Sequence, residues 1–304
     1  MEPRNDFWTR ERECERLFEE GGPFFLVTTE NLPWLLYTSD QEFKDGTNMV
    51  AVALAGLPLT VLNEVQMNNH MHLVIEGQLS YVQDFTSRLR KLMHRYQSQK
   101  GNPSLLNWDI QIKLISNLDA LRNAILYVSR NPSVAMRIVM PTGYRWSGCY
   151  LMFNELLPLF RPGEPYSELT YKQKREICRS RDLELPPHYR VLDGMITRDS
   201  FIDYKRAESF FNSAHSYFLL LSRKVEVDVE IARWVGERIL LPNEDVFRIV
   251  AGWYSVKTVN SLNANQRLEA ARRMKAELMS NNKQISQVLR IAPDQVDAMF
   301  PTPS

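Results

Sequence analysis

Between residues 24 and 131 the apolar positions switch between the two-residue spacing of strands and the 3.6-residue spacing of helices. FFLVTTE (24–30) is aromatic and β-branched, follows the break Gly21-Gly22-Pro23, and reads as a strand. Residues 40–56 read as a helix, with Ser39 or Asp40 as N-cap and Gly56-Leu57-Pro58 as its stop. In LTVLNEVQM (59–67), Leu59, Val61, Asn63, Val65 and Met67 alternate onto one face of a second strand. Met71 to Glu76 is the third, and Asn68-Asn69 supplies the hairpin turn between them. Leu79, Val82, Phe85, Leu89, Leu92 and Tyr96 stripe a helix over 79–98. WDIQIKLIS (108–116) is a fourth strand. A last helix is expected from Leu118 to Arg130, ending before Pro132 because proline disfavours helical geometry in the residue ahead of it. Strand, helix, two strands, helix, strand, helix implies an α+β fold: an antiparallel sheet with helices on it, in the split βαβ style.

The pattern changes from about Leu156. Pro158, Pro162, Pro165, Pro186 and Pro187 mark a linker-rich stretch, and residues 190–260 read as helical and charged, with no chemistry attached. The far end predicts three helices. Leu268, Ala271, Met274 and Leu278 stripe the first, and Ile285, Val288 and Leu289 the second. Asp294 is expected to cap the third, with Val296 and Phe300 inward. The spacing is that of a helix-turn-helix. The expected divisions are 1–155, 156–260 and 261–304.

Composition narrows the class. No run of about 18 apolar residues occurs, so no membrane span is expected. The charged start, MEPRNDFWTRERECERLFEE, has no apolar leader segment. Cys14, Cys149 and Cys178 form no CxxC pair and no even set, which fits a reducing cytoplasm. Lys and Arg number 37 against 36 Asp and Glu, so bulk basicity is absent and any polyanion must be met by local patches. One patch is the helix around Arg88, Lys91 and Arg95; another holds Arg272, Arg273 and Lys275.

Two places carry candidate chemistry. His70 and His72 lie two apart at the start of a strand, so their imidazoles project to one side and suit a shared metal ion. Tyr127 and Asn131 lie four apart on the expected helix and share a face. An amide oxygen can be a third ligand, and a phenol becomes a nucleophile when something activates it. Such a set suits a phosphodiester, with the metal drawing charge from a non-bridging oxygen.

These pieces, in order, resemble the REP-associated, IS200-like single-tyrosine HUH transposases. The matching residues are FFLVTTE, Met67-Asn68-Asn69-His70-Met71-His72-Leu73, Tyr127-Val-Ser-Arg-Asn131-Pro132 and Tyr144-Arg-Trp146-Ser147. The resemblance covers about residues 22–153. It implies a ferredoxin-like HUH domain in residues 1–155 that nicks single-stranded or hairpin DNA. His70, His72 and Asn131 would then hold Mg²⁺ or Mn²⁺, and Tyr127 would form a 5′-phosphotyrosine link and free a 3′-hydroxyl. This chain departs from the family at Asn68, where proline is usual, at a shortened Ser104–Trp108 segment, and at Gly148, where serine is usual.

DNA contacts are expected from Arg88, Lys91, Arg95, Arg130, Arg272 and Arg273 on phosphates, and from Trp108, Tyr144 and Trp146 as stacking rings. The third C-terminal helix, DQVDAMF, carries two acids and no base, so the helix bearing Arg272 is the better phosphate-facing element. The expected state is a monomer or homodimer. The rival expectation is a DNA-binding protein that keeps the fold without cleaving.

Overall fold

The computed structural model describes residues 4–136, 140–157, 159, 162–179, 183–222, 243–278, 280 and 282–300. The chain forms two compact units: residues 1–131 with 140–223, and 132–139 with 224–304. Of the stretch expected as a middle segment, 164–222 packs within the first unit and 243–260 within the second.

In the first unit the order is α1 (Arg4–Glu19), β1 (Phe24–Thr29), α2 (Asp40–Leu54), β2 (Thr60–Gln66), β3 (Met71–Glu76), α3 (Leu79–Gln99), β4 (Ile110–Ile115) and α4 (Leu118–Met136). The four strands pair antiparallel in the order β2-β3-β1-β4, so β1 sits between the third and fourth strands. The Asn68-Asn69 turn closes where expected, with Met67 N–H on the His70 carbonyl at 2.8 Å. Ser39 caps α2 through the Glu42 N–H.

Neighbouring residues of a strand point to opposite faces. Asn63 of β2 reaches α4, and Glu64 beside it turns away from α4 toward the α2 side. α3 packs beside α2, with the Tyr96 hydroxyl on Asp45 at 2.9 Å. The sheet is therefore covered on both faces, which is why β1 is buried at every position. The alternation expected in β2 is broken by a bulge between Val61 and Asn63. An extra residue there shifts which side chains share a face.

α4 continues to Met136 with Pro132 inside it, past the expected end at Arg130. Proline lacks the N–H that would bond the Val128 carbonyl four residues back, so it weakens the ladder without ending the helix. Asn117 starts α4, its side chain accepting the Ala120 N–H at 2.8 Å.

The free edge of β2 is covered at both ends. Gln66 N–H bonds the Trp146 carbonyl at 2.9 Å, and Asp203 N–H bonds the Val61 carbonyl at 2.8 Å. Arg198 pins the second of these segments: its Nε donates to Glu64 Oε2 at 2.8 Å and its Nη2 to Thr47 Oγ1 at 3.0 Å, with both charged side chains fully buried. β5 (Glu164–Pro165), β6 (Arg190–Leu192) and β7 (Met195–Ile196) form a second small sheet. This corrects the helical expectation for residues 190–196. Asp193 and Gly194 both have positive φ, at 49° and 76°, as the tight hairpin turn requires. α5 (Tyr171–Cys178), α6 (Tyr204–Glu208) and α7 (Ala214–Leu221) complete the described part of this unit. The rest of the expected helical region, 223–242, lies outside the described residues.

The second unit holds α8 (Asn243–Trp253), α9 (Ala264–Glu277), α10 (Asn282–Leu289) and α11 (Pro293–Met299). Val246, Val250, Ala271, Met274, Ile285, Leu289 and Val296 form its core. Two expectations change. Leu268 is exposed, with Ala270 buried instead. Ala292 rather than Asp294 is the N-cap of α11, because Pro293 takes the first helical position. Among the described residues no helix is long and apolar enough to cross a membrane.

Candidate active site on the outer face of the central hairpin

The β2–β3 hairpin places His70 at the foot of β3 and His72 one pleat further on, opposite Thr28 of β1 and Val65 of β2. Their rings stand 4.9 Å apart, centroid to centroid, at 74°. α4 crosses this face. The Tyr127 ring packs edge-on to His72 at 5.1 Å, and Asn131, one turn later, brings Nδ2 to 3.0 Å from His72 Nε2. The four residues singled out by the sequence are thus brought together.

The hydrogen bonds fix which ring nitrogen carries each proton. Asn69 Nδ2 donates to Asn31 Oδ1 at 2.6 Å and to the Leu32 carbonyl at 2.7 Å, which turns Asn69 Oδ1 toward His70 Nδ1 at 2.9 Å. A carboxamide oxygen only accepts, so His70 Nδ1 donates. At His72, Nε2 accepts from the Asn131 amide, so Nδ1–H donates to Thr28 Oγ1 at 3.2 Å. Burial pushes the His72 pKa down from 6.5 to about 3, since nothing there repays the loss of solvent by the charged form. The ring is neutral at neutral pH. Two imidazoles held through Nδ1 have the form of metal ligands oriented from behind.

The donor set fits a divalent cation that accepts nitrogen and oxygen together. Turning the Asn131 amide over would put Oδ1 where Nδ2 now stands, 3.0 Å from His72 Nε2. Neighbouring ligands of an octahedral ion with bonds of about 2.1 Å stand roughly 3 Å apart. Among the described residues no third His, Cys, Asp or Glu joins the pair. Access is restricted, because His70 is 8% exposed, Asn131 5%, Tyr127 1% and His72 0%.

The expected DNA contacts are spread more widely. Arg88, Lys91 and Arg95 are exposed on α3, across the sheet from the histidines; Arg88 bonds the Ala55 carbonyl and Arg95 the Arg179 carbonyl. Arg130 is buried and donates to the Leu220 carbonyl at 3.2 Å. Trp108, Tyr144 and Trp146 are buried, and in this conformation none offers an open face for a base. Trp108 Nε1 bonds the Glu30 carbonyl, Tyr144 bonds the Gln66 carbonyl, and Trp146 stacks on Phe43 at 4.8 Å. In the second unit Arg272 is exposed. Arg273 is engaged by Glu277 at 2.9 Å and lies 4.1 Å over the Trp253 ring, and Lys275 donates to Asn282 at 2.8 Å.

Sequence reasoning missed the residues behind the site: Thr28 and Asn69, which orient the imidazoles, and Asn63 and Tyr217, which meet Ser129 on the other side of α4. Only Asn69 had a local signal, as a turn residue beside His70.

No family model matches the chain, and no curated protein is similar to it. Among solved structures, one of a REP-associated tyrosine transposase bound to a REP hairpin aligns at 16% identity over 43% of this chain and 78% of that one, with a TM-score of 0.32.

Proposed function

We propose that this chain is a metal-dependent DNA strand transferase of the single-tyrosine HUH type, acting on single-stranded or hairpin DNA. The observation that carries the reading is the meeting of Tyr127 and Asn131 of α4 with His72 of β3, whose Nε2 lone pair is aimed at the Asn131 amide. His70 and His72 would hold Mg²⁺ or Mn²⁺ through Nε2, and Asn131 through its amide oxygen. The cation would withdraw charge from a non-bridging phosphate oxygen. The phosphate also brings the negative charge that the neutral donors lack.

Tyr127 Oη attacks phosphorus and loses its proton to solvent. The P–O bond to the 3′-oxygen breaks, and that oxygen takes up a proton. One phosphodiester becomes a 5′-phosphotyrosine and a free 3′-hydroxyl, and attack by another DNA 3′-hydroxyl reverses the step with the bond energy conserved. Arg272 on α9 is exposed and stays a candidate phosphate contact in the second unit.

The burial of Tyr127 favours the second reading, a DNA-binding protein that keeps the fold without cleaving. The test is incubation of the full chain with single-stranded hairpin DNA and Mn²⁺, followed by denaturing electrophoresis. The strand-transfer reading expects a protein–DNA band that Tyr127→Phe abolishes. Binding without any such band in the wild type establishes the second reading instead.

A further inference from the structure

α4 straddles two strands. Tyr127 and Asn131, one turn apart, rest on the β3 side. Ile125 and Ser129, also one turn apart and roughly 200° around the helix from them, rest on the β2 side. On that second side lies a buried chain of hydrogen bonds. Asn63 Nδ2 donates to the Ile125 carbonyl at 3.0 Å and to Ser129 Oγ at 2.8 Å, and its Oδ1 accepts the Glu64 N–H at 2.9 Å. Ser129 Oγ spends its proton on the Ile125 carbonyl at 3.0 Å, so at 3.1 Å from the Tyr217 hydroxyl it accepts. The Tyr217 oxygen in turn stands 3.5 Å from Cys149 Sγ.

Asn63, Ser129 and Tyr217 are wholly buried. A buried network of this kind costs desolvation, and apolar groups of equal volume would pack there at no such cost. What polar groups add is a single permitted arrangement. Local features agree. The β2 bulge turns Asn63 toward α4. A Cβ on Gly148 would stand 2.7 Å from Ile202 Cδ1 and 2.9 Å from Asn63 Oδ1, so a side chain there would push on Asn63. Pro132 removes a backbone bond just after Asn131, leaving less of the helix ladder to hold that residue.

We infer that Asn63, Ser129 and Tyr217 are positioning residues: a buried polar clamp that fixes the register of α4 on β2 and thereby holds Tyr127 and Asn131 against His72. The inference rests on the strand-transfer reading for its consequence, but the clamp itself is testable without DNA or metal.

The test uses the full chain and the variants Tyr217→Phe, Ser129→Ala and Asn63→Leu. The first two remove only a hydroxyl and keep the measurement possible should Asn63→Leu not fold. The first readout is the ¹⁵N spectrum of the His72 imidazole without metal. In the wild type it shows the Nδ1–H tautomer, and in each folded clamp variant it shifts toward a mixture as Asn131 leaves Nε2. The second readout is Mn²⁺ affinity. It falls roughly tenfold in Asn63→Leu or Tyr217→Phe, the size seen when groups behind a ligand are removed. In an Asn131→Ala background the same changes have less than a twofold effect, because they act through Asn131. Unchanged His72 signals, or losses that multiply independently of Asn131→Ala, overturn the clamp. Absence of a Tyr127–DNA adduct in the wild type overturns strand transfer alone, and the imidazole spectrum still judges the clamp.

Discussion

The two faces of the central hairpin solve the burial of polar groups in opposite ways. On the α2 face, Glu64 and Arg198 are a fully buried ion pair at 2.8 Å, with Thr47 sharing the guanidinium. On the α4 face, one pleat away, His70, His72, Asn131 and Tyr127 are buried with no carboxylate among them. The first cluster cancels its own charge. It ties residue 198 to the sheet. The second gathers two imidazoles, an amide and a phenol with no carboxylate among them, and we propose it as the cation site. Two clusters of similar burial, on adjacent strands, therefore differ in chemistry: one is a closed ion pair, and the other is the set to which the proposed function assigns a ligand.

The sharpest separation of the two faces is chemical. Tyr127→Phe lowers adduct formation by roughly a thousandfold or more, as loss of a nucleophile does. Its melting temperature stays near that of the wild type, which differential scanning calorimetry checks. Arg198→Met has the converse profile. Breaking a buried pair from one side costs about 3–5 kcal/mol, read from urea unfolding, and the double change Glu64→Leu with Arg198→Met recovers most of that loss.

Proton uptake separates the faces next. The folded-state pKa of His72 is about 3 and its unfolded value 6.5, so between those pH values the unfolded chain holds a proton that the folded chain refuses. Stability is complete above pH 6.5 and falls as pH drops, by about 1.4 kcal/mol per unit from this residue. Unfolding midpoints measured between pH 7 and 5 show the decline, and His72→Gln removes that share of it. The smallest effect is behind the site. Thr28→Val takes away the acceptor of His72 Nδ1–H and weakens Mn²⁺ binding by roughly tenfold, measured by calorimetry.

Much of this arrangement was legible in the chain. The apolar spacing marked all four strands and the three helices between residues 40 and 131, and the pairs His70/His72 and Tyr127/Asn131 follow from periods of two and four. What failed had local causes. Pro132 suggested a stop, but α4 runs on to Met136, because one missing N–H weakens a helix without ending it. Asp193-Gly194, between apolar residues, was a hairpin signal passed over in a stretch judged by its charge. Trp108 and Trp146 looked like platforms because an aromatic residue alone does not reveal which face it presents. The rest was illegible for a different reason. Asn63 and Ser129 are 66 residues apart, and Glu64 and Arg198 are 134 apart. Neither contact follows any short period; both depend on strand order and on how the segments after residue 140 cover β2.

The most direct measurement is pulsed electron paramagnetic resonance of Mn²⁺ bound to the full chain with an uncleaved phosphodiester strand. The expected result is two imidazole nitrogen couplings, with one lost in His70→Gln and one in His72→Gln. A Mn²⁺ signal without nitrogen couplings, at concentrations where the DNA is bound, would contradict the claim that these two neutral rings converge on one ion.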